Sequence, residues 1–162
     1  MKPLTLNKKQ ICEFQQNRDP YLMIDFATEV IPGKSAKGYK DLSNNEWFFK
    51  VHWPKDPNMP GMLQIESLSQ MGALSILCLD GNKGKTMYLT SANNLKFLKK
   101  IVPGDRLVID TKVISYKRGI ANIKGSGFSA PLTAKIFPLG VFFSQSNLRV
   151  LPFSIIKELF FP

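Results

Sequence analysis

Residues 52–79 read HWPKDPNMPGMLQIESLSQMGALSILCL, and the fold class turns on this stretch. It opens on His52, the chain's only histidine, passes Pro54, Pro57 and Pro60, and reaches Gly61. From there Met62, Ile65, Leu68, Met71, Leu74, Ile76, Leu77 and Leu79 cover nearly every side of a helix. A helix that is apolar all round belongs in a core. It is expected to start near Pro60, because a proline in the first turn gives up no intrahelical hydrogen bond, and to end at Asp80-Gly81-Asn82. One carboxylate, Glu66, interrupts the apolar run. Such a group is costly in an apolar wall unless something uses it, so His52 and Glu66 stand out as a base and an acid.

Working outward, residues 4–16 (LTLNKKQICEFQQ) offer Leu6, Ile11 and Phe14 for one face of a short helix, which Asn-Arg-Asp-Pro at 17–20 breaks. Residues 21–31 (YLMIDFATEVI) are aromatic and β-branched and read as a strand. Pro32-Gly33 turns the chain, 35–42 (SAKGYKDL) returns antiparallel, and 46–49 lead into the histidine loop. Beyond the helix lie four strand-like runs at 85–98, 106–116, 120–128 and 132–137, with Lys117-Arg118-Gly119 as a tight hairpin connection. Two strands, one long helix and a run of antiparallel strands make an α+β domain, a helix packed on a curved sheet. A single sheet is not expected to enclose a helix apolar all round, so a second copy should cover the other side in a two-fold dimer. The stretch 138–162 holds Val141-Phe142-Phe143, Leu151-Pro152-Phe153 and an apolar run at 155–161. It is too apolar for a free tail and is taken as a C-terminal extension of a single domain spanning 1–162, with its core at about 18–137.

The 162 residues suffice for one domain with a core of its own. The net charge of +10 calls for an acidic partner. Its lysines are scattered (Lys8-Lys9, Lys34, Lys37, Lys40, Lys83, Lys85, Lys96, Lys99-Lys100), without the basic tract and interleaved aromatics of a nucleic-acid binder. One histidine and two isolated cysteines, Cys12 and Cys78, do not compose a zinc site, so no metal is expected. Free thiols fit a reducing cytosol, and no run approaches the ~20 apolar residues that span a bilayer.

The chemistry follows from residue types. An imidazole with a pKa near ~6.5 serves as a neutral base. A carboxylate in an apolar wall can hold a proton. Together they suit loss of a proton and a neighbouring hydroxyl, an elimination of water. Gly61, at a helix N-terminus, offers N–H groups and the positive dipole end to a carbonyl gaining negative charge. Gln70, one turn after Glu66, can hydrogen-bond it. Each has a plainer reading, as a packed histidine or solvated carboxylate.

The order of motifs resembles the 3-hydroxyacyl-acyl-carrier-protein dehydratases of the FabZ type, which have the hotdog fold. RDPYLMIDF (18–26), IPGK (31–34), FFKVHWPKDPNMPGMLQIESLSQ (48–70) and FLKKIVPGDRL (97–107) follow the family's RYPFLLVDR, EPGK, FFQGHFPxxPxMPGVLxxEALAQ and FxxPVxPGDxL in order. The resemblance implies His52 and Glu66 as the catalytic pair, contributed by different chains of a dimer. It implies Gly61 as the glycine whose N–H holds the thioester carbonyl, and Gln70 as support for the glutamate. Trp53 and Met62, beside His52 and Gly61, complete the substrate-binding set. It further implies no cofactor, a substrate carried on the phosphopantetheine of an acyl carrier protein, a cytoplasmic setting, and a homodimer with trimers of dimers as the higher assembly. Acyl carrier proteins are acidic, and Lys96, Lys99 and Lys100 are the expected docking patch. The chain departs from the pattern at Val51 (a glycine in the family), Trp53 (phenylalanine), Asp19-Pro20 (tyrosine-proline) and Lys96 (arginine). An acyl thioesterase using the carboxylate and a non-catalytic acyl-carrier-binding subunit stay open beside the dehydratase.

Overall fold

Leu4–Asn7 (β1) and Lys8–Phe14 (α1) open the chain in the computed structural model, which describes residues 2–130 and 134–145, with side chains through 129. The single helix expected over 4–16 is therefore split. The Asn7 side chain accepts the Gln10 N–H at 3.0 Å and the Gln10 side chain accepts the Asn7 N–H at 2.9 Å, a reciprocal cap that fixes the helix start. The residues before it pair with the next strand. That strand, Phe26–Ile31 (β2), is shorter than the run 21–31. Leu22, Met23 and Ile24 are fully buried outside it, because the Met23 N–H goes to the Gln70 side chain instead of a neighbouring strand.

Ser35–Asp41 (β3) returns antiparallel, and Trp47–Val51 forms a five-residue helix (α2) where only a lead-in was expected. The central helix is Gly61–Leu77 (α3). Pro60 stands just outside it as N-cap, in an extended conformation, and its carbonyl accepts the N–H groups of Leu63 (3.0 Å) and Gln64 (3.1 Å). Met87–Asn93 (β4), Arg106–Lys117 (β5), Ile120–Ala130 (β6) and Ala134–Gln145 (β7) complete the chain. The β5–β6 hairpin closes through Arg118 and Gly119, both at positive φ, as a two-residue turn that follows the strand twist requires.

All pairings are antiparallel, in the order β1-β2-β3-β5-β6-β7-β4. The sheet wraps α3, which lies across β2, β3, β5 and β6. Gly38 of β3 allows the closest approach, since a Cβ there would stand 2.6 Å from Met71 Cε. This is the expected α+β hotdog arrangement. One expectation about it fails. Within a single chain 14 of the helix's residues are already buried, all but Gly61, Met62 and Glu66, because α1 and the segment 22–24 close the side that the sheet leaves open. Exposed apolar side chains include Val51, Trp53 and Met62 around the histidine loop and helix start, Phe97 and Leu98 after β4, and Tyr88 and Leu89 on β4.

Strand β7 runs on through Pro138, where a core boundary was placed. The register shifts between Gly125 and Gly127 of β6, a bulge that absorbs a residue with no N–H to give. Val141-Phe142-Phe143 thereby lies in the sheet between β6 and β4. The runs 151–153 and 155–161 fall outside the described residues. No helix among the described residues is long and apolar enough to cross a membrane.

Candidate active site

His52 closes α2, its N–H donating to the Phe48 carbonyl at 2.8 Å. That short helix cannot hold itself, and tertiary contacts do so. Phe48 and Phe49 are buried, and Trp47 Nε1–H donates to the Pro20 carbonyl at 3.2 Å. Lys40, with its side chain only 5% exposed, lies 3.3 Å from Glu46 and 3.7 Å from Asp25. Two carboxylates compensate the one buried ammonium, and the α2 N-terminus is tied to β3. The half-buried imidazole has Nδ1 3.0 Å from the Asn58 carbonyl. A carbonyl only accepts, so Nδ1 carries the hydrogen and Nε2 of the neutral ring is left with a free lone pair. The ring stacks on Trp53, 4.6 Å between centroids at 19°. Asn58 is buried and donates to the Asp56 carbonyl, and the Met59 N–H donates to the Ile101 carbonyl at 2.8 Å. His52 thus sits on a pinned loop.

Glu66 is half-buried on α3. Gln70 Nε2 donates to its Oε1 at 2.8 Å and to the Tyr21 carbonyl at 2.9 Å, while Gln70 Oε1 accepts the Met23 N–H at 2.8 Å. Because the oxygen of that buried amide is taken by a backbone donor, its nitrogen has to face the carboxylate. The Tyr21 phenol is held above its ordinary value, first by partial burial and second by the charge of Glu66, which places the ring within electrostatic reach of the carboxylate.

A cavity of about 220 Å³ opens beside Glu66. Glu66, Ser69, Gln70, Ala73 and Leu77 form its helical wall, residues 15–17 and 85–87 with Leu89 the rest. His52 is not among the residues lining this cavity. At the helix start, Leu63 and Gln64 take the Pro60 carbonyl and Pro60 supplies no side-chain cap. The Gly61 and Met62 N–H groups therefore lack intrahelical partners. A Cβ on Gly61 would stand 3.0–3.3 Å from the Phe97 ring. Met62 is 68% and Trp53 60% exposed. Of the expected docking lysines, Lys96 and Lys99 are exposed and Lys100 is ion-paired with Asp56 beside the histidine loop.

The sequence did not single out Tyr21, Gln15, Ser69 or the Lys40 pair. Only Lys40 left a signal, since it falls in the inward register of Ala36 and Gly38. The others depend on contacts across 47 or more positions or on the path of residues 15–25.

Residues 16–130 match the family model described as a FabA-like domain. The chain belongs to the FabA-like family. Among FabA-like relatives, the 3-hydroxyacyl-[acyl-carrier-protein] dehydratase FabZ of Clostridium novyi is 41% identical over 128 residues, 75% of this chain and 90% of that protein. That of Bacillus subtilis is 40% identical over 120 residues, covering 74% and 85%. In fold, the chain is similar to a structure of the dehydratase heterocomplex ApeI:P from Xenorhabdus doucetiae, with a TM-score of 0.70 at 12% identity over 92% of this chain and 96% of that one. It is likewise similar to PH1136 from Pyrococcus horikoshii, with a TM-score of 0.63 at 14% identity over 93% and 98%.

Proposed function

We propose that the protein dehydrates (3R)-3-hydroxyacyl thioesters of an acyl carrier protein to trans-2-enoyl thioesters, in fatty-acid or related acyl-chain biosynthesis in the cytosol. It works as a homodimer in which His52 of one protomer faces Glu66 of its partner. The observation that carries the reading is the pair of separate clamps. Asn58 leaves His52 Nε2 bare, Gln70 orients Glu66, and His52 does not line the cavity beside Glu66. The exposed Val51 and Trp53 of the histidine loop, and Tyr88 and Leu89 on edge strand β4, offer a second copy apolar surface to cover.

In the reaction His52 Nε2 takes the C2 proton of the bound thioester. The electrons of that C–H bond form the C2–C3 double bond, with charge passing through the thioester oxygen, which the Gly61 N–H stabilises. Glu66 gives its proton to the 3-hydroxyl, the C3–O bond breaks and water leaves. His52 is then protonated and Glu66 ionised, and exchange with solvent resets both. Every step is a proton transfer or a bond cleavage that these side chains serve, so the scheme calls for no cofactor or metal. Lys96 and Lys99 offer positive charge to the acidic carrier.

Hydration of a crotonyl thioester, followed by loss of its ultraviolet absorbance, reads the reverse reaction. His52→Ala and Glu66→Gln should each abolish it. Mixed and reassembled, the two inactive variants should recover about a quarter of wild-type activity, because half the dimers are mixed and each holds one intact site of two. Full activity in either single variant removes that residue from the mechanism. A mixture that stays inactive places both residues of a site in one chain.

A further inference from the structure

We infer that Gln15 and Ser69 make this site selective for acyl chains carrying a second hydroxyl, beyond the one eliminated. The inference rests on the dehydratase reading and adds the class of substrate. Four polar side chains of the cavity wall matter here, and they divide sharply. Gln70 spends both ends of its amide on Met23, Tyr21 and Glu66. Gln16 Nε2 donates to the Gly84 carbonyl at 2.7 Å. Gln15 and Ser69, in contrast, are only 4% and 3% exposed, and among the described residues neither atom of the Gln15 amide nor Ser69 Oγ has a hydrogen-bond partner.

Polar groups buried this deeply are rarely left unpaired. Two of them lining one cavity beside the catalytic carboxylate mark a place where a ligand atom completes the bonding. The main chain of Gln15 is held from both sides, its N–H donating to the Ile11 carbonyl at 3.1 Å and its carbonyl accepting from Arg18 Nη1 at 2.8 Å. The amide is therefore presented from fixed backbone. Ser69 follows Glu66 by three residues, about 4.5 Å along the helix axis. That is roughly three carbon–carbon bonds of about 1.5 Å each beyond the reacting carbons. Ala73, Leu77, Met87 and Leu89 supply the apolar part of the wall, and Asn17, Lys85 and Thr86 add polar side chains to it.

The donor and acceptor inventory selects the ligand group. The Gln15 amide offers an oxygen acceptor and an N–H donor, and the Ser69 hydroxyl can do either. A hydroxyl, which donates once and accepts, meets the amide oxygen with its hydrogen and the amide nitrogen or Ser69 with its oxygen. A ketone can only accept, and a plain methylene satisfies neither side. A site built to hydrogen-bond a hydroxyl discriminates strongly against the analogue that lacks it.

The test compares kcat/KM for the (3R)-3-hydroxyoctanoyl thioester of N-acetylcysteamine with those of its analogues bearing a further hydroxyl at C5, C6 or C7. Wild-type protein should prefer at least one dihydroxy substrate by roughly tenfold or more. Gln15→Leu should reduce that ratio to one or below, mainly by losing activity on the dihydroxy substrate. Ser69→Ala, a small change inside a helix, should lower the same ratio and keeps the test open if Gln15→Leu does not fold. Equal or greater activity on the plain substrate, or a preference that survives both substitutions, overturns the inference while leaving the dehydratase reading standing. Absence of turnover on every substrate by wild-type protein overturns both.

Discussion

Gln70→Leu separates the roles of the Gln70 clamp. Leucine is close in volume and keeps the helix, but it removes three hydrogen bonds. The Met23 N–H loses its acceptor, and since Met23 is fully buried, an orphaned donor there costs about 1–3 kcal/mol. The Tyr21 carbonyl belongs to an exposed residue and rehydrates, for about 0.5 kcal/mol. The bond to Glu66 is charge-assisted, but the carboxylate is half-exposed, so about 1 kcal/mol is a fair discounted figure. The sum, about 3 kcal/mol, corresponds to a Tm lower by about 6–12 °C for a chain of this size. Thermal unfolding followed by circular dichroism checks it. Activity should fall further than stability requires, by about 100-fold in kcat/KM below Tm, because Glu66 is no longer aimed. Gln70→Glu provides the control. It keeps an oxygen for Met23 but removes the amide donor that stood 2.8 Å from Glu66, so activity should be lost while much of the Met23 contribution to stability is kept. A Tm within about 2 °C of wild type for Gln70→Leu refutes the claim that Met23 depends on this amide.

Two further substitutions probe the helix ends. In Gly61→Ala the new methyl lands 3.0–3.3 Å from the Phe97 ring, which is 45% exposed and can yield. Stability should change by less than about 1 kcal/mol, since alanine favours the helix, while kcat/KM for crotonyl hydration falls if the carbonyl has to approach the Gly61 N–H, which alanine keeps but its methyl crowds. At the other end, burial pushes the Cys78 thiol up from 9.0 to about 11, against a smaller opposing pull from Lys83. Between those pH values the unfolded chain releases this proton and the folded chain keeps it, so folding stability declines as pH rises. The full slope would be about 1.4 kcal/mol per pH unit, and partial exposure of the site brings it to about 0.7. Urea midpoints of wild type and Cys78→Ala from pH 8 to 11 should converge by that amount. Parallel pH profiles would show the thiol titrating alike in both states.

The features legible in the sequence are those written in local pattern. An apolar run entered through Pro60-Gly61 is a buried helix wherever it occurs, and one carboxylate within it stands out without any coordinates. Features that depended on distant partners were not legible. Residues 21–25 look like strand, yet Met23 gives its N–H to a side chain 47 positions away, so the strand starts only at Phe26. Pro138 looks like an ending, yet a bulge opposite β6 carries the strand past it. The aromatic run of α2 has no helical period to read in five residues.

The case for a second copy shows the same limit and changes its basis. From composition alone, a helix apolar all round needs two sheets. In the folded chain α1 and residues 22–24 already close that helix, so its apolarity says nothing about a partner. The case for one now rests on the proposed chemistry. In the proposed mechanism His52, with Nε2 free on the histidine loop, and Glu66, held by Gln70 beside a cavity that His52 does not line, would each meet its counterpart from a second chain. Val51, Trp53, Tyr88 and Leu89 are exposed around the histidine loop and along the sheet edge, where a second protomer would have to dock to supply it.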